Sequence, residues 1–208
     1  MNNDVWPIVH AERAALIDDL ARLDDDSWEH QSLCADWTVH DVVAHLIDTA
    51  LTTRMGFLVG LARAWFDFDR QNARGVERER GATHAETLAR FRQVASRRST
   101  PPVNSDSRLV EAIVHGEDIR RPLALTGHYP SAAVVRALRL QARTPASLGG
   151  AKQLLTRVHL TAVDADVAIG VGPRVSGTAL SLLLAVSGRN VALDQLDGPG
   201  VAVLAAAI

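Results

Sequence analysis

Residues 36–46, Asp-Trp-Thr-Val-His-Asp-Val-Val-Ala-His-Leu, restrict the fold of this chain more than any other stretch. Thr38 and Asp41 have the spacing of a capping box: the hydroxyl accepts from an orphan helix N–H, and the carboxylate reaches back to the N–H of the cap residue. Trp37 and Val42 hold the places of a hydrophobic staple. A helix start pinned in this way also sets the phase of the next turns, so that Val42, His45, Leu46 and Thr49 share one side. An imidazole in such an apolar stripe loses water and needs a partner.

The partner is expected in Glu111-Ala-Ile-Val-His115, where a carboxylate and an imidazole one turn apart project from one helix face. His45, Glu111 and His115 together form a set of two imidazoles and one carboxylate. Such donors suit a divalent ion, zinc first, and three protein ligands leave a coordination position open. Spacing does not settle the matter, because Asp36/His40 and Asp41/His45 repeat it and a helix-surface pair has the same signature. Asp118 continues the face of Glu111 and His115. It could orient a histidine or contact substrate, or it could pair with Arg120 and Arg121 at the surface.

Two other features carry less. Asp24-Asp25-Asp26 beside a helix end describes a solvated loop. Cys34 lies before the helix cap rather than at a helix N-terminus, and reads as a small buried filler. As the single cysteine, it excludes an internal disulfide. The charge of -2 argues against nucleic-acid binding, and the N-terminus lacks the pattern of a signal peptide, so a cytoplasmic protein is expected. Met55 to Ala62 is too short an apolar run to span a bilayer, and Gly56 and Gly60 within it suit close helix packing. Lys152 is the only lysine among 22 basic residues, the mark of a GC-rich genome.

In order, the pattern predicts a helix over 5–23 with Asp4 as a possible cap, a second from Thr38 to about Phe66, and a long connection over 67–81. Thr83 and Glu86 open a third helix, and a fourth runs from near Asp106 to before Pro122. Ser131 caps a fifth helix over 132–143. The glycine pair at 149–150 marks a junction, beyond which the hydrophobic period changes. Strands are expected over 154–163 and 167–171, then a helix capped by Ser176 and ended by Gly188, and a closing hairpin from 191–196 and 201–206. This pattern gives a helical bundle over 1–146 and a small α/β domain over 151–208, whose core is too small to stand comfortably alone.

Three segments together, 34–46, 110–123 (Val-Glu-Ala-Ile-Val-His-Gly-Glu-Asp-Ile-Arg-Arg-Pro-Leu) and 161–173 (Thr-Ala-Val-Asp-Ala-Asp-Val-Ala-Ile-Gly-Val-Gly-Pro), resemble the mycothiol-dependent maleylpyruvate isomerase family of the DinB-like metalloenzyme superfamily. The resemblance runs in order over nearly the whole chain. It implies a DinB-like helical bundle followed by a small mixed α/β, sterol-carrier-like domain, with a divalent metal at His45, Glu111 and His115. It also implies mycothiol as cofactor or co-substrate, with a small-molecule electrophile as the other partner, and an actinobacterial source. Arg157, Arg174 and Arg189 are the second-domain candidates for polar contacts to the thiol. The family isomerase carries a basic residue toward its C-terminus, where this chain reads Val-Leu-Ala-Ala-Ala-Ile208.

The chemistry implied is deprotonation of a thiol by the metal, with attack on an electrophile for isomerisation or S-transfer, and His45 and Asp118 as the residues closest to the reaction. A metal-dependent hydrolase and a non-catalytic metal-binding module are the alternatives. Neither nucleic acid nor membrane is expected as a partner, and the chain is read as a monomer or homodimer.

Overall fold

The computed structural model describes residues 4–65 and 67–208, which fall into two units divided at Gly127/His128. In the first unit, α1 (Trp6–Leu20) carries a proline in its first turn, where a missing N–H costs nothing. Asp4 does not cap α1 in the usual sense, but its carboxylate accepts from the Trp6 N–H. Asp24, read as part of a solvated loop, caps the short α2 (Asp25–Trp28) by accepting from the Ser27 N–H. Then comes α3 (Val39–Leu51) with its expected capping box: Asp41 Oδ2 accepts from the Thr38 N–H at 3.0 Å, and Thr38 Oγ1 accepts from the Asp41 N–H.

The single long helix expected to about Phe66 is broken at Thr52, which turns to extended backbone. Thr53 caps a separate helix, α4 (Arg54–Arg63), with its hydroxyl on the Gly56 N–H. The predicted end of the long helix at Phe66 lies outside the described residues. The expected connection over 67–81 is instead largely helical: α5 (Phe68–Glu79), capped by Asp67. Its polar composition masks an amphipathic helical period, and packing on α3 stabilises it. Gly75 permits that approach, because a Cβ there would stand 2.3 Å from Asp48 Oδ2. Next are α6 (His84–Val94), capped by Thr83, and α7 (Ser107–Arg120).

The core of this unit joins Leu16 and Leu20 of α1, Trp28 of α2, Val42, Val43, Leu46 and Ile47 of α3, Phe91 of α6 and Ile119 of α7. The helix α3 is central, packing on α5, α6 and α7. A buried polar network crosses this core. Arg120, 1% exposed, donates from Nε to Asp19 Oδ2 at 2.7 Å and also pairs with Glu12. No helix among the described residues is long and apolar enough to cross a membrane.

The second unit opens with α8 (Ser131–Arg143), preceded by Pro130 rather than capped by a Ser131 side chain. This helix packs against α9 (Ala179–Val186), through Val134, Ala137 and Leu138 on its buried side. The compact second unit thus begins before α8, and the junction expected between 146 and 151 falls inside it. Its sheet has the order β2-β1-β3, with β1 (His159–Ala162) central, β2 (Ala168–Gly170) antiparallel and β3 (Arg174–Gly177) parallel to it. Gly170, at φ 95°, lets β2 turn away where a Cβ would meet the Val158 carbonyl.

Ser176, expected as a helix cap, lies within β3 opposite Thr161, and Thr178 caps α9 by accepting from the Ser181 N–H. The closing hairpin does not form. Residues Asn190–Gln195 make a 3-10 helix and Val201–Ala205 a short helix, α10. Short apolar runs do not distinguish strand from helix by period, and here the 3-10 helix packs on α9 while α10 lies beside the 3-10 helix as a helical turn rather than as a strand. The result is a mostly helical first unit followed by a small α/β unit, as expected in class.

Candidate functional site

His45 leaves α3 toward α7, and its ring meets that of His115 edge to face at a centroid distance of 4.9 Å. On its other side the Trp37 ring stands 4.9 Å away, held by the loop before the cap. That loop is tied by Gln31, whose Nε2 donates to the carbonyls of Cys34 at 2.8 Å and Trp37 at 2.8 Å, and by the Ser32 hydroxyl on the Trp37 carbonyl at 2.6 Å. The Leu33 N–H donates to the Asp118 carbonyl, fastening the loop to α7. The capping box, the tied loop and α7 together hold His45 in a site it could not define alone.

The electrostatics of the two histidines are opposite. Burial, then His115 and Arg108, push His45 well below the usual histidine range, against a weaker pull from Asp118. Its Nδ1 is buried and makes no hydrogen bond. Burial also opposes charge on His115. The hydrogen bond from Nδ1 to Asp118 Oδ2 at 2.9 Å, with the nearby Cys34, outweighs burial and raises His115 to about 9. At neutral pH and without a bound ion, one ring is therefore a neutral donor of a lone pair and the other an imidazolium.

A pH dependence results. A histidine whose folded pKa is raised contributes stability that is fully present below its unfolded value of 6.5 and is lost as pH rises toward about 9. Asp118→Asn in metal-free protein should lower the His115 titration toward the ordinary histidine range, measured by NMR of the ring protons. An unchanged titration would remove Asp118 as its cause.

The structure brings His45 and Glu111 to one cleft of about 200 Å³, which Asp48, Thr52, Gln71 and Arg108 also line. Arg108 Nη1 stands 2.8 Å from Glu111 Oε2, so this carboxylate already faces a cation. The donor atoms of His45, Glu111 and His115 are not among the sets lying within 4.8 Å of one another. Among the described residues those sets are Cys34/His115/Asp118 and Glu29/His40/His84. For the first expected trio, the fit to a metal rests on the orphaned His45 Nδ1 and on the chemistry of the donors.

Two residues enter that sequence reasoning set aside or missed. Cys34, taken for filler, donates from Sγ to Asp118 Oδ2 at 3.2 Å and lies 4.0 Å from His115 Nδ1. Only a contact across 84 positions reveals this, so no local signal marked it. Asp48 had a signal, because it lies one turn beyond His45 on α3. It is buried, its carboxylate is pushed up by burial against the pull of its ion pair with Arg78, and it lines the cleft. The arginines proposed for thiol contacts lie in the second unit and are not gathered. Arg157 is exposed and lines a cleft of about 400 Å³ with Leu154, Val186 and Ser187, Arg174 is exposed on β3, and Arg189 donates to the Ser187 carbonyl.

Residues 9–102 match the family model of the mycothiol maleylpyruvate isomerase N-terminal domain. This span includes His45, while Glu111 and His115 lie beyond it. No curated protein sequence matches the chain. Its fold resembles the crystal structure of a histidine-to-alanine mutant of the mycothiol-dependent maleylpyruvate isomerase, with a TM-score of 0.64 over 93% of this chain and 91% of that one at 10% identity. The segment that carries His45 thus resembles a known domain type, the mycothiol maleylpyruvate isomerase N-terminal domain, over residues 9–102.

Proposed function

We propose that this protein is an enzyme that uses mycothiol, with a divalent metal at His45, Glu111 and His115, to act on a small electrophile by isomerisation or S-transfer. The observation that carries the reading is the buried, unpartnered Nδ1 of His45, beside Glu111 in one cleft and against the ring of His115. A buried polar atom without a partner costs stability and is retained where something binds it. When bound there, a divalent ion, zinc by its donor set, would supply the positive charge that keeps a thiol deprotonated at neutral pH.

The chain's own residues do the rest. Neutral His45 presents a lone pair rather than a charge, and Trp37 fixes its ring. Asp118 accepts from His115 Nδ1, which leaves the other ring nitrogen as the one available to a ligand. Arg108 keeps a guanidinium at the cleft wall, suited to an anionic electrophile. A cleft of about 200 Å³ holds only a reacting end, so the bulk of a sugar-bearing thiol would lie outside it. Arg157, Arg174 and Arg189 are proposed for contacts to that bulk.

A second ligand set has support from geometry, because Cys34, His115 and Asp118 present donor atoms within 4.8 Å. The two sets are separated by stoichiometry: Cys34→Ser should leave a metal bound by His45, Glu111 and His115, while Glu111→Gln should weaken it severely. The reverse pattern would move the metal to the cysteine set.

The functional test is calorimetric titration of zinc-loaded protein with mycothiol, then turnover on a panel of electrophiles including maleylpyruvate and epoxides. Thiolate formation should release a proton, so the heat should depend on the buffer's ionisation enthalpy. Equal affinity for a desulfurised analogue would end the thiol reading. Turnover with water alone would favour a hydrolase.

A further inference from the structure

We infer that Glu29, His40 and His84 form a second divalent-metal site, on the face of the first unit where α2, α3 and α6 meet and separate from the His45 cleft. Glu29 comes directly after the last residue of α2, His40 lies in the first turn of α3, and His84 opens α6. Their donor atoms all lie within 4.8 Å of one another. Both rings turn one nitrogen to the same oxygen: His84 Nε2 is 2.7 Å and His40 Nδ1 3.4 Å from Glu29 Oε1.

The opposite nitrogens are held as those of metal-bound histidines are. His84 Nδ1 donates to Asp25 Oδ1 at 2.7 Å, and His40 Nε2 lies 2.7 Å from Thr87 Oγ1. A ligating imidazole gives its other N–H to such an acceptor, which sets tautomer and ring orientation. Stacking of His84 on Trp28, at 5.3 Å and 12°, fixes that ring further.

The Thr87 hydroxyl accepts from the Gly81 N–H at 2.8 Å and lies 3.4 Å from the Thr83 carbonyl, which leaves it able to accept from His40 Nε2. A neutral His40 protonated at Nε2 turns its Nδ1 lone pair toward the Glu29 carboxylate. The ring is 2% exposed and lies near Arg80, so a second positive charge on it is unfavourable. A cation bound among these donor atoms, all within 4.8 Å of one another, would satisfy that lone pair and the carboxylate together.

Charge agrees with this. Asp25, Glu29 and Asp41 bring three carboxylates to the network, and Arg80 brings one guanidinium, paired with Glu29 at 3.1 Å and with Asp41. With both rings neutral, a dication balances the remainder. Glu29 is 49% exposed, which leaves water access for a fourth ligand, and zinc is the ion this donor set suits. Zinc would replace the proton on His84 Nε2 and join three helices across one point.

This site is independent of the His45 cleft, and its test silences that cleft. Tag-free His45→Ala protein is dialysed against Zn²⁺ and analysed for bound metal, with and without His84→Gln or Asp25→Asn. The expected result is one ion per chain in His45→Ala, lost in the double variant with His84→Gln. Asp25, being 93% exposed, tolerates replacement, and Asp25→Asn should weaken zinc by about 10- to 100-fold. Zinc at about 100 times its dissociation constant should raise the melting temperature of His45→Ala by about 5–10 °C, and should do so far less once His84 is replaced. An ion absent from His45→Ala, or held equally tightly after both replacements, overturns the site.

Discussion

His45→Ala should lower metal affinity at the α3/α7 site by more than about 100-fold and abolish thiol-dependent turnover, while the fold persists. Loss of a mere supporting partner of a metal ligand costs about 10- to 100-fold, and loss of the ligand itself costs more. Persistence of the fold is expected because the Nδ1 of this ring makes no hydrogen bond and no carboxylate is left unpaired by its removal. Truncating the ring opens a cavity among Trp37, His115 and the α3 core, at about 2–3 kcal/mol by analogy with other large-to-small changes. Thermal melts beside metal analysis separate the two effects. Wild-type turnover at saturating mycothiol in the variant would exclude His45 from the chemistry.

Arg120→Ala should destabilise the first unit by about 3–5 kcal/mol, the largest effect expected of any single substitution away from the site. The guanidinium is buried and pairs with Glu12 and Asp19, so its loss leaves a carboxylate in the core without its counter-charge. Glu12 shows the strain already: burial pushes its carboxyl up, and Arg120 opposes that rise. Without Arg120 its pKa rises further. A carboxylate with a raised folded pKa weakens the fold above that pKa and is relieved by protonation below it. The deficit should therefore shrink on acidification, as urea midpoints at neutral and acid pH would reveal. Replacing Glu12 and Arg120 together by apolar residues should recover much of the loss, because the desolvation cost leaves with the pair. A pH-independent deficit below about 1 kcal/mol would mean that water reaches the pair.

The two sites differ in how they fasten their histidines, which bears on metal exchange. His45 is buried and His115 partly buried, whereas Glu29 and Asp25 lie at the surface. An ion held by Glu29, His40 and His84 should therefore exchange faster with chelator than one held at His45, a difference that a two-phase zinc release would register.

Sequence alone determined what depends on neighbours within a turn or two. The capping box of Thr38 and Asp41, the face shared by Glu111, His115 and Asp118, and the helical class of the first unit were all legible, because caps and helix faces are relations between residues three or four apart. Three kinds of feature were not legible. The helix α5 is so polar that charged rather than apolar residues carry its helical period, and Gly75 lets it approach Asp48 of α3 closely. The strand β3 exists because Ser176 finds Thr161 beside it, and the apolar run at 201–206, whose period suits strand or helix, is helical over Val201–Ala205. The third kind is the sites themselves. Cys34 meets Asp118 across 84 positions, and His84 meets Asp25 across 59. Residue type and spacing nominated His45, Glu111 and His115, but only the packing of α3 on α7 sets one histidine neutral beside another that is charged. Only the meeting of α2, α3 and α6 turns two rings toward one carboxylate. Local interactions are written in the order of the residues, and long-range ones come into being with the core that closes around them.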